Sequence, residues 1–172
     1  TIANGYASLT VGVYNDSIIA SQATLGTNTL LFIVGNGTDG NNRSNAMVIR
    51  VAGTGINTNN PATKLDVNGD FSLRQNLLTL NNPGGINNNV TPGPYSFLKI
   101  ASATAPFTIT GLQGGSDGRI LTIVNLTGFD MTIADQHASS AAQNRIITLT
   151  GSFDISTLGN GTVTLQYSAD DQ

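Results

Sequence analysis

The chain has 172 residues and a formal net charge of −3, from seven Lys and Arg against ten acidic residues, all of them Asp. Charged residues make up only 10% and hydrophobic residues 39%, with 20 Gly and no Cys. The scattered cations provide no basic stripe for a nucleic-acid partner, no apolar run is long enough to insert in a membrane, and disulfides and thiolate metal sites are excluded.

Without Glu the chain lacks the usual surface of an exposed helix. Its Thr, Val and Ile favour strands and its Gly and Asn favour turns, so a mainly β fold is expected. In residues 1–28, small residues and Gly5, Gly12 and Gly26 separate short apolar pairs, as in tightly packed coils of a β-roll. Thr1 in place of an initiating Met is read as a sign of a missing upstream part. Residues 29–34, TLLFIV, read as a buried strand. The turn-rich GNGTDGNNRSN then leads to a second strand, residues 46–52, and the two strands suit a hairpin.

Residues 53–69, GTGINTNNPATKLDVNG, hold the sharpest local signals. Asn60-Pro61 starts a turn, and Lys64–Val67 alternates polar and apolar residues up to the turn dipeptide Asn68-Gly69. A strand this short needs a partner. In DFSLRQNLLTL, Leu73, Leu77 and Leu80 fit a helical stripe while Phe71 and Leu73 fit strand alternation, and both readings stay open. Residues 81–94, NNPGGINNNVTPGP, read as a linker and domain boundary.

From Tyr95 onward, FLKIA, FTITG, RILTIVN, DMTIAD, RIITLTG, FDIS and TVTLQY are short candidate strands separated by turn signals. This spacing predicts an antiparallel β-sandwich or jelly-roll over residues 95–172. Val163 and Leu165 face away from Thr162, Thr164 and Gln166 in a half-exposed strand, and the strand around Ile120–Asn125 suits burial on both sides. HASSAAQN, residues 137–144, suits a short helix or a long loop.

Catalytic chemistry finds little support. His137 could be drawn with Ser139 or Ser140 and Asp130 or Asp135, but no nucleophile-elbow pattern accompanies it, and a polar loop histidine is the simpler reading. Asp130 and Asp135 lack the Glu partner usual in glycosidase pairs. Asp39-Gly40-Asn41-Asn42 lacks the calcium-loop spacing and reads as a turn, and Asp117 reads as a turn cap. No enzyme, cofactor or metal site is expected. The unequally spaced Thr-x-Thr pairs at 108/110, 148/150 and 162/164 read as solvent-facing Thr on half-buried strands. Phe97 and Phe107 read as core. Tyr95, Phe129, Gln136, His137, Asn144 and Tyr167 lie near predicted strand ends or in loops and are the candidates for gripping a receptor.

Gly35–Thr38, Arg43–Ala46, Pro61 and Lys64–Gly69 resemble a module of bacteriophage tail fibres and bacterial surface adhesins, IGNGT…RSNA…GIGT..P..KLDVNG, which precedes a coiled-coil or tip domain. Asn57 stands where that module usually has a second Gly, a change that Asn tolerates in left-handed backbone. GYASLTVGVYND is similar to the head repeat of trimeric autotransporter adhesins. LQGGSDGRILTIVNLTGFDMTIADQH…GNGTVTLQY is similar to the distal β-domains of phage fibres and contractile-injection fibres, though the Trp strand common there is missing.

The resemblance implies an intertwined homotrimer. Residues 1–80 would form a shaft or head-like β region with its neck at 53–70, and residues 95–172 a C-terminal knob. The chain would belong to a virion or phage-like particle outside the cell, bound to an upstream fibre or baseplate protein. It would attach through the knob to a glycan or protein receptor. The alternative is a purely structural fibre segment or adaptor; a glycan hydrolase ranks behind both. On this reading the partner of the strand at Lys64–Val67 lies across the trimer axis.

Overall fold

A computed structural model describes residues 8–16, 26–148, 151 and 153–170. They are mainly β, in a solenoid-like arrangement. Among them there is no α-helix, only one 3-10 turn at Ala142–Asn144, inside the segment read as helix or loop. The chain divides into two compact units, Thr1–Ser72 and Leu73–Gln172.

The first unit is one five-stranded sheet in chain order: β1 (Leu9–Val13), β2 (Leu30–Asn36), β3 (Asn45–Arg50), β4 (Thr54–Ile56) and β5 (Leu65–Val67). The expected hairpin is present as the antiparallel β2–β3 pair, and β3–β4 is antiparallel too. The outer pairs β1–β2 and β4–β5 are parallel. The β-roll reading of residues 1–28 falls largely outside the described residues.

Register decides which side chains share a face, because they alternate along each strand. Thr10, Ile33, Val48, Gly55 and Asp66 stand in one row. Ile33 and Val48 in that row are buried and form a small core with Leu30. The rows on either side point to the opposite face: Leu9, Phe32, Ile49, Thr54 and Leu65, then Val11, Val34, Met47, Ile56 and Val67. Nine of these ten residues are apolar, yet none is buried.

Polar groups tie the buried side together. Arg50 donates from Nε to the Asn59 carbonyl at 2.8 Å and from Nη1 to the Asn28 carbonyl at 2.6 Å. Asn59 Nδ2 donates to Asp16 Oδ2 at 2.9 Å, and Asn45 Nδ2 donates to Asn59 Oδ1 at 2.9 Å. Asn57 has φ 54, the left-handed geometry that Asn accepts more readily than most residues. Asn57 and Asn68 exchange side-chain bonds to each other's carbonyls, both at 3.1 Å. The expectation that the strand at Lys64–Val67 pairs only across a trimer axis is corrected here: β5 hydrogen-bonds to β4 of its own chain. Leu65 stays 64% exposed and Val67 half-buried.

The second unit winds as a solenoid whose chain alternates between two sheets. β6 (Gln75–Leu78) is followed by β7 (Ile86–Asn87), β8 (Phe97–Ile100) by β9 (Phe107–Ile109), and β10 (Ile120–Asn125) by β11 (Met131–Ile133). β6, β8 and β10 stack in parallel in one sheet and β7, β9 and β11 in the other. The chain then reverses. β12 (Ile155–Thr157) runs antiparallel to β11, and β13 (Thr162–Gln166) antiparallel to β10.

The expected antiparallel sandwich is therefore corrected to stacked parallel coils closed by one antiparallel return. The physical reason is the connectivity: parallel neighbours need a long crossover, here the strand in the other sheet plus two corners. The segment 81–94 is likewise no linker. It carries β7 and places Val90 in the core, so the boundary lies earlier, after Ser72. At 71–80 there is no helix, and the strand is only Gln75–Leu78, with Leu78 buried beside Ile100 and Leu77 turned out; Phe71 and Leu73, on which the strand alternation rested, lie before it and are exposed.

Inward side chains form columns. Leu98 stands beside Ile123, and Ile109 beside Ile133, all four fully buried. Phe107 sits beside Met131 in the same core, whereas Phe97 faces outward, with Lys99 Nζ 6.0 Å from its ring centre. β10 is buried on one face only, through Leu121, Ile123 and Asn125.

Buried asparagines close the corners. Asn125 Nδ2 donates to the Phe129 and Gly159 carbonyls at 2.6 and 2.7 Å, while its Oδ1 accepts from the Thr127 N–H and hydroxyl. Asn87 does the same work at an earlier corner, through Asn82 and Gly85.

Candidate functional site

The solenoid core ends in the returning strands. Ile155 continues the Ile109–Ile133 column and Val163 continues Leu98–Ile123. Both are only half-buried, as is Leu165 beside Leu121, since β12 and β13 are the edge strands of their sheets among the described residues. A third wall rises next to them. Leu112 donates its N–H to the Asn144 carbonyl at 2.8 Å, Arg145 bridges Gly111, and Ile146 bridges Asp135. Between this wall and the returning strands lies a partly open cavity of about 540 Å³. That volume is within the range of small-molecule sites, roughly 300–1,000 Å³.

Its floor is apolar, with Leu112, Leu121, Ile146, Ile155, Val163 and Leu165, and its rim is polar, with Gln113, Arg119, Asn144, Arg145, Gln166 and Tyr167. Arg119 is fixed by three backbone carbonyls: Nη1 donates to Gly114 at 3.0 Å, and Nη2 to Gly93 at 2.5 Å and Tyr95 at 2.8 Å. The Tyr167 ring lies against Gly115, where no Cβ would fit. Tyr167 is also held through its backbone, donating to the Arg119 carbonyl and accepting from Gly118. Among the described residues Arg145 bonds through Nε, which donates to the Ser140 carbonyl at 3.1 Å.

Of the six residues singled out from the sequence, Asn144 and Tyr167 line this cavity. Tyr95 packs on the core beneath and reaches the rim through its carbonyl on Arg119. Phe129 is elsewhere, in the corner after β10, at the opposite end of that strand from Tyr167. Gln136 and His137 sit in the loop after β11 and do not line the cavity. Gln136 has φ 40 and donates its N–H to the Ile146 carbonyl at 2.7 Å. Asn144 is committed, its Nδ2 donating to Asn89 Oδ1 at 2.8 Å.

The nominal catalytic groups are occupied by structural bonds. His137 Nδ1 accepts the Ser139 backbone N–H at 3.2 Å. The Ser140 hydroxyl is buried against Thr110 Oγ1 at 2.8 Å, and Asp135 accepts from the Thr148 N–H and hydroxyl. Asp130 accepts the Gly159 N–H at 2.9 Å. Asp117 accepts from Ala169, well outside its own turn.

Arg119 and Arg145 were missed from the sequence. The expected strand RIITLTG forms only single bridges at Arg145 and Ile146, and Leu149 and Thr150 lie outside the described residues. Comparison with protein-family models, curated proteins and solved structures finds no match to this chain.

Proposed function

We propose that this chain is a distal segment of a trimeric fibre or adhesin, outside the cell, that attaches to a cell-surface glycan or protein receptor through its C-terminal unit. The observation that carries this reading is the apolar face of the first sheet. Two rows across all five strands, from Leu9 to Leu65 and from Val11 to Val67, are left exposed or half-buried by a single chain. Contiguous apolar surface of this kind marks an interaction site. The buried core on the other side of the sheet holds three apolar residues among those described, and oligomerisation is the usual support for a core of that size.

Packing the face against copies of itself removes it from water, and the closed symmetry of homo-oligomers makes that the economical solution. The number three comes from the resemblance of the Gly35–Gly69 stretch to trimeric fibre modules. Three C-terminal units held on one axis would gain affinity through effective concentration.

Light scattering of the full chain tests the assembly. A mass three times that of the chain supports the reading, and a monomer at micromolar concentration overturns it. Retention of the trimer on host cells or immobilised envelope glycans tests attachment. A trimer that binds no cell surface would favour the structural segment instead.

A further inference from the structure

We infer that the cavity at the last coil of the solenoid binds an elongated apolar molecule carrying one anionic group. The inference goes beyond attachment and does not depend on trimer formation, because the site lies within one unit of one chain. Three features select the ligand.

The floor continues the hydrophobic columns, so Ile155, Val163 and Leu165 offer an apolar ligand the contacts that a next coil would have made. A strongly hydroxylated ligand would lose its water there without compensation. The charge is one-sided among the described residues: the lining includes Arg119 and Arg145 and none of their carboxylates, in a chain of net charge −3. Asp135, behind the wall, is engaged by Thr148. Finally, the two arginines differ in availability. Arg119 spends both Nη groups on backbone carbonyls and supplies field and shape. Arg145 bonds through Nε alone, and its Nη groups make no hydrogen bond among the described residues. A guanidinium edge over an apolar floor suits a carboxylate or phosphate at the end of an alkyl chain.

Such a group occurs both in free fatty acids and in anionic envelope lipids, and the experiment separates these sources. The full chain is titrated by calorimetry with decanoate below its micelle concentration, with decyltrimethylammonium as the cationic control. Decanoate is expected to saturate at one per chain, with markedly weaker binding of the cation. Arg145→Gln is expected to weaken decanoate about tenfold, the loss of one charge-assisted bond. Val163→Trp, which fills the cavity, should abolish binding, and Val34→Lys, on the first unit's sheet, should leave it intact.

Equal binding of both amphiphiles overturns the proposal. So does decanoate binding that survives Val163→Trp, or binding lost in Val34→Lys. If Val163→Trp does not fold by circular dichroism, the rim variant Arg145→Gln decides, and unchanged affinity there overturns the proposal. Sedimentation with phosphatidylglycerol vesicles then identifies the source. Binding to both decanoate and vesicles that Arg145→Gln weakens indicates a membrane lipid, and decanoate binding alone indicates a free acid. Vesicle binding without decanoate binding reflects surface charge and overturns the site.

Discussion

In Leu73–Gln172 the columns Leu98–Ile123 and Ile109–Ile133 are sealed inside one chain. In Thr1–Ser72 a sheet of similar strands leaves two apolar rows open. The difference lies in how each unit covers its strands. The solenoid turns the chain through two corners and brings a second sheet over the first, so twelve described core residues contact one another. Among its described residues the first unit is a single layer, with polar groups around Arg50, Asn45 and Asn59 and three buried apolar side chains on its inner side and exposed or half-buried apolar rows on its outer side. The second unit buries a two-layered core of its own, and the first exposes an apolar face that the proposed assembly would cover.

Damage to each core should respond differently to protein concentration. Ile123→Ala removes a fully buried side chain from the solenoid and should lower unfolding free energy by about 3–4 kcal/mol. Urea titration followed by circular dichroism should give the same loss at every protein concentration. A concentration-dependent loss would mean that the solenoid core is completed by another copy. Met47→Lys places a cation in the middle of the open face of the first sheet. It should leave the solenoid transition alone while weakening self-association about a hundredfold, the cost of a desolvated, unpaired charge. Sedimentation velocity over a dilution series reads this directly, and an unchanged association constant would show that the face is not the interface.

Much of the first unit was legible because its signals are local. The apolar run at 29–34, the hairpin with 46–52, the left-handed Asn57 and the Asp39 turn each depend on neighbours within a few residues. The solenoid was legible only as strands. Its coils are unequal: the interval from Gln75 to Phe97 is shorter than that from Phe97 to Thr122, so no fixed period reveals the parallel stacking. The segment 81–94 shows the same limit. Asn87 is buried because its side chain bonds Asn82 and Gly85, and composition alone cannot tell it from the exposed Asn88 beside it. The cavity was the least legible feature. Its walls come from residues near 112–121, 143–148 and 155–168, which meet only because the chain reverses at β12.

Arg50 is buried, and burial pulls its pKa down, but its bonds to the Asn59 and Asn28 carbonyls keep the charged form useful. Arg50→Met preserves the stem and strands both carbonyls, so a loss of about 2 kcal/mol is expected. Arg50→Lys should recover only part of this, since one ammonium replaces a fork that reaches two carbonyls. Thermal unfolding of the two variants checks the order, and equal stability of Arg50→Met and wild type would remove the polar network from the explanation.

The smallest effect concerns Asp39, in the fully exposed turn between β2 and β3. The side-chain bond from Asn42 and the backbone N–H groups of Asn41 and Asn42 hold its carboxyl below the ordinary value of 3.8. A depressed folded pKa means that the unfolded chain takes up the proton first as pH falls. The stabilisation is therefore fully present above the unfolded value and is lost as pH drops through the lower, folded one. Full exposure keeps the effect small. Carbon-detected NMR should place the Asp39 titration below 3.8 in wild type and move it up toward that value in Asn42→Ala. Because Asp39 is off the apolar face, Met47→Lys should leave this titration unchanged even when it dissociates the assembly. A titration that moved with assembly would place the turn within reach of a second copy, and the polar and apolar surfaces of the first unit would then no longer act independently.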